Sequence, residues 1–159
     1  MDCAALLRES RSSIVDESYT VVDRSHIQHY KAAGEMLPRE RLEGLFDLVV
    51  DAIGNRDLSG VSAYAEAVAE ERFSEGFDIS EVQAAFNALE ASMWRQVVAS
   101  AKPEELAEAT GLLNTVLGFG KDVLARAYVS LASQHRVRSL DLTEMFAGTQ
   151  SGLEAEQVE

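Results

Sequence analysis

The stretch that decides the fold runs from residue 103 to residue 136: PEELAEATGLLNTVLGFGKDVLARAYVSLASQHR. In it Leu106, Leu113, Gly120 and Ala127 recur every seven residues, and so do Thr110, Leu117, Leu124 and Leu131. Two such series form the seam of a long helix packed nearly parallel to its neighbours. Gly111, Gly118 and Gly120 weaken that helix intrinsically, while their small size lets another helix come close. The seam reads in two ways, as ordinary bundle core or as a partly intermolecular face. No stretch of useful length alternates apolar and polar residues with period two, so the chain is all-α.

Upstream of that helix the same period recurs. Residues 2–24 read as a first helix, with Cys3, Leu7, Ile14 and Val21 spaced for one face. A continuation over residues 25–33 carries His26, Ile27, His29 and Tyr30 and stops at Gly34. The next helix follows Pro38, places Leu42, Leu45, Phe46, Val49, Val50 and Ile53 on one side, and ends at Gly54-Asn55. A third is capped by Ser59 or Ser62, turns Val61, Tyr64, Ala65, Val68, Ala69 and Phe73 inward, and ends at Gly76. The fourth starts at Asp78 or Ser80 as cap, with Glu81 favourable in its first turn. Its inner face is Val82, Ala85, Phe86, Leu89, Met93 and Val97, with Trp94 and Val98 on a second flank; Lys102-Pro103 ends it. The expectation is a single bundle of five to six helices over residues 1–138. Residues 139–159 follow as an acidic, flexible tail, because apolar periodicity stops after Phe146.

The chain of 159 residues is 47% apolar and 26% charged, with a formal charge of −13. The charge is uneven: residues 40–100 hold 12 acids against 4 bases, and residues 139–159 hold 5 acids and no base. An acidic surface repels nucleic-acid backbones and anionic lipids, so neither is expected as partner. The single cysteine, Cys3, rules out an internal disulfide and a Cys-based zinc site. Arg8 and Glu9 interrupt the apolar run over residues 4–7 before a signal-peptide core forms, and no apolar run approaches the ~20 residues of a spanning helix. A cytoplasmic location is expected.

Few residues suggest chemistry. Asp23, His26 and His29 imitate half of a carboxylate–histidine metal motif, but the second pair is missing. Between Tyr30 and Gln134 there is no histidine, so a mid-chain helix has no haem ligand, although His26, His29 and His135 remain candidates. The stretch from His29 to Gly34 matches histidine phosphotransfer domains poorly. Cys3 has no histidine partner, and Gly118-Phe119-Gly120-Lys121 lacks the spacing of a phosphate loop. No catalytic, cofactor-binding or metal-ligating residue is named, and a non-enzymatic chain is expected.

One further stretch carries a resemblance. In EERFSEGFDISEVQAAF, residues 70–86, a helix ends near Arg72 and turns at Gly76 before a capped helix begins. Gly76 permits a positive backbone angle, and Phe73, Phe77 and Ile79 pin the corner. With the start at Leu6-Leu7-Arg8 and the long last helix, it resembles the N-terminal domain family of RsbT co-antagonist (RsbRD-type) proteins, from about Ala5 to His135. The resemblance implies a non-enzymatic sensory or protein-interaction domain of bacterial stress regulators, akin to globin-like domains that lack haem, and dimeric. Such domains are often joined to an output domain, whereas only the acidic tail follows Arg138 here, so either the sequence is a piece of a longer chain or it stands alone and works through an unidentified regulatory protein. Other readings are a haem or small-molecule sensor with an internal pocket, or a histidine phosphotransfer protein. For the homodimer, the expected interface takes in Ile14, Val15, Trp94, Val98, Leu117, Leu124 and Leu131, the first four because a monomer would leave them exposed.

Overall fold

The computed structural model describes residues 2–25 and 39–139, which form six helices with no strand among them. They are α1 (Cys3–Glu9), α2 (Arg11–Ser25), α3 (Arg39–Asn55), α4 (Ser59–Ser74), α5 (Ile79–Ser100) and α6 (Pro103–Ser139). The chain is an all-α bundle.

The single first helix read from the sequence is two helices. Asp2 caps α1 by accepting from the Ala4 N–H at 3.2 Å. Ser10 then leaves helical geometry at φ −102° and ψ 12°. Leu7, Ile14, Ser18 and Val22 turn inward, while Val21, expected on the inner face, is 44% exposed. The expected continuation with His26 and His29 lies outside the described residues.

The remaining helices follow their apolar periods, with differences at the ends. All six expected core positions of α3 are buried. After α3 the left-handed residue is Arg56, at φ 56°, rather than Gly54 or Asn55, and its guanidinium reaches Glu108 at 3.0 Å. Neither Ser59 nor Ser62 caps α4. Asp57 does so from two residues upstream, accepting from the Ser59 N–H at 2.9 Å and its hydroxyl at 3.0 Å. At α5, Asp78 accepts from the Ser80 N–H at 2.8 Å, and the Asp78 N–H donates to Glu81 at 2.8 Å, which completes a capping box.

Two kinds of contact hold the helices together. α2 runs antiparallel along α5 at close range, where the buried Ser18 hydroxyl faces the Ala88 carbonyl at 3.4 Å. Ion pairs then tie acidic helices to one another. Arg8 meets Asp51, Arg11 grips Asp47 with two bonds of 2.9 Å, Arg39 pairs with Asp16, and Arg95 meets Glu17 at 2.5 Å. Lys121 on α6 reaches Glu90 on α5 at 2.7 Å.

The seam of α6 is spent inside the bundle. Leu113, Leu117 and Leu124 are buried, and a Cβ on Gly120 would stand 2.9 Å from the Phe86 ring and 3.0 Å from Val61. At Gly120, therefore, α6 lies close against α4 and α5. Residues up to 128 form one compact unit, and residues 129–139, the end of α6, belong to a second.

Candidate functional site

The corner between α4 and α5 is built around a buried charge. Gly76 takes φ 83°, which L side chains rarely adopt, and lets the chain reverse between the helices. Arg72 is only 4% exposed. Its guanidinium donates to Glu75 at 2.9 Å and stands over the Phe77 ring, 5.0 Å from the centroid. A cation held this way keeps part of its solvation through the ring face and the carboxylate. Tyr128 of α6 joins the same corner. Its hydroxyl donates to the Phe77 carbonyl at 3.3 Å, and its ring meets Phe73 edge-on with centroids 5.7 Å apart.

Arg72 also borders a cavity of about 30 Å3 between α2, α3, α4 and α5. The polar groups of its lining come from Arg41, Tyr64, Arg72 and Glu81, and the rest is mostly aliphatic with Phe86 at one wall. Arg41 is held by Glu71 through bonds of 2.6 and 3.2 Å, and that bond keeps the Glu71 carboxyl below the usual range. Burial pushes the Tyr64 hydroxyl up, so it stays protonated. No histidine, cysteine or methionine lines this cavity. The sequence reading did not find it. In the sequence Tyr64 reads only as part of an apolar face and Glu81 as a first-turn acid, because the cavity joins residues far apart in the chain.

A second depression, about 90 Å3, lies by Cys3, Arg56 and Glu108. Burial and the neighbouring Asp2 raise the Cys3 thiol, which makes it a poor nucleophile. Among the described residues no cluster of His, Cys, Asp and Glu is placed to hold a metal ion, and no helix is long and apolar enough to cross a membrane. His135 is exposed on α6.

The residues expected at an interface separate into two groups. Ile14 and Val15 were expected to leave surface exposed in a monomer; instead both are buried, on the same side as Leu7. Leu117 and Leu124 are likewise fully buried and offer no surface to another chain. Trp94 and Val98, one turn apart on α5, are 45% and 46% exposed. Leu131 is half-buried, in the second unit. The surroundings of Trp94 differ from the rest of the protein: residues 91–102 include Arg95 and Lys102 and no acid.

The described residues thus form an all-α bundle with a corner built on a buried arginine, a small cavity and one half-exposed tryptophan. The family model of the RsbT co-antagonist protein rsbRD N-terminal domain matches residues 14–139, and the chain belongs to this family. Membership makes it a regulatory domain of stress signalling. No curated protein and no solved structure matches the chain.

Proposed function

We propose that this chain is a non-enzymatic sensory domain of bacterial, cytoplasmic stress signalling that works by protein–protein interaction. It forms a homodimer and contacts a separate regulatory protein, and the α5 face at Trp94 and Val98 is where a second chain docks. The observation that carries this reading is the exposure of Trp94 together with Val98, in an acid-free stretch of a chain whose net charge is −13. A large aromatic left half in water is a common anchor of interfaces, and the missing acids remove the repulsion that two acidic chains would otherwise feel. Family membership supports the regulatory role.

Trp94 is the single tryptophan, so its fluorescence reports this face alone. On dilution from high to low protein concentration, its emission should shift to the red as the face becomes wet. Emission independent of concentration would contradict docking at Trp94. A small-molecule sensor is the second reading, favoured by the cavity beside Arg72.

A further inference from the structure

We infer that the docking face at Trp94 continues onto α6 and that its occupant is a second copy of this chain, each copy seating its Trp94 against the strip Gly111, Asn114 and Gly118 of the other. This rests on the dimer proposed above and names the surface that receives the tryptophan.

The register of α5 and α6 places the strip. Lys121 of α6 donates to Glu90 at 2.7 Å and to Asn87 at 3.5 Å, both on α5. Residues three or four apart share a helix face. Gly118, Asn114 and Gly111 therefore continue the Lys121 face along α6, while Ala91, Trp94 and Val98 continue the Asn87 face along α5. All six are exposed, Gly118 in part. A Cβ at Gly111 or at Gly118 would meet nothing within 4 Å, so no side chain of the same copy fills the space over the strip.

Charge selects the occupant. Residues 91–102 and 109–121 together hold Arg95, Lys102 and Lys121 and no acid. Arg95 is held by Glu17 of α2 and Lys121 by Glu90, so neither is left for a charged partner. The bordering Glu108 is paired with Arg56, and Lys102 and Glu104 stand at one end as one charge of each sign. A basic partner gains nothing from such a face and is drawn instead to the acidic surface elsewhere on the chain. A chain of formal charge −13 meeting its own copy needs a face without free acids. Shape points the same way. A projecting indole beside an open strip makes the face complementary to itself, and a two-fold axis fills both strips at once.

Light scattering of the whole chain over a dilution series, with Trp94 emission followed in parallel, tests the seat. Gly111→Gln with Gly118→Gln puts two uncharged side chains into the open strip. The dilute monomer should tolerate them with no fall in melting temperature, since the space is empty and glutamine favours helix over glycine. At micromolar concentration the pair should weaken the dimer by about tenfold or more and leave Trp94 emission shifted to the red. Asn114→Glu, at an exposed position that needs no glycine, should loosen the dimer in the same way. Ala67→Gln, exposed on α4, should change nothing. Added salt should tighten the dimer, because it screens the repulsion between two acidic chains. A dimer that withstands the glutamine pair and Asn114→Glu, yet is lost with Trp94→Glu, would overturn this seat and leave docking at Trp94 standing. A monomer for the unaltered chain would overturn both. A dimer that loosens with salt would place ion pairs in the interface and overturn the seat as well.

Discussion

Two glycines on α6 show how a single atom changes the balance at the residue scale. Gly120 faces Phe86 and Val61 so closely that a methyl group forces one of them to move, whereas a Cβ at Gly118 meets nothing within 4 Å. Gly120→Ala should therefore destabilise by about 1–3 kcal/mol, the range for overpacking a core. Gly118→Ala should stabilise by up to about 1 kcal/mol through helix propensity. Chemical denaturation of both variants checks the pair, and equal effects would mean that α6 does not approach α5 at Gly120. By size alone both glycines permit close approach of another helix. The sequence could not distinguish them, because which one faces a neighbour depends on how α6 is rotated against α4 and α5.

At the scale of elements, burial of apolar faces decides stability. Phe86 on α5 and Leu117 on α6 are 1% and 0% exposed, and truncating either to alanine should cost about 2–5 kcal/mol. Urea unfolding that gives less than about 1 kcal/mol for both would place these helices differently. Periodicity made most of this legible. Every apolar position read on α3 is in the core, and the start of α5 was legible as Asp78 or Ser80 with Glu81 in the first turn, of which Asp78 is the cap. The break at Ser10 is a local change of backbone that no composition signals, and the inward position near the end of α2 is Val22 rather than its neighbour Val21. The seam of α6 was legible as a seam, but heptads do not say whether the partner helix is in the same chain. The cavity beside Arg72 had no sequence signal, since it is a gap between helices rather than a motif.

For the whole molecule, charge governs how stability responds to pH. Hydrogen bonds from Arg11 to Asp47, from Arg41 to Glu71 and from Ser80 to Asp78 hold these three carboxyls below their ordinary values in the folded state. A carboxyl depressed by folding stabilises the protein above its unfolded value and loses that contribution as pH falls through the folded one. The melting temperature should thus stay level down to about pH 5 and decline below about pH 4. The double variant Asp47→Asn with Glu71→Gln should start lower and decline less steeply; a decline as steep as that of the unaltered chain would show these pairs do not contribute. The central claim concerns association, and light scattering at micromolar concentration tests it most directly. The monomer has a mass of 17.4 kDa. The account predicts twice that mass for the unaltered chain and a return to the monomer value for Trp94→Glu with Val98→Glu. A monomer mass for the unaltered chain, or a dimer that survives both substitutions, would contradict it.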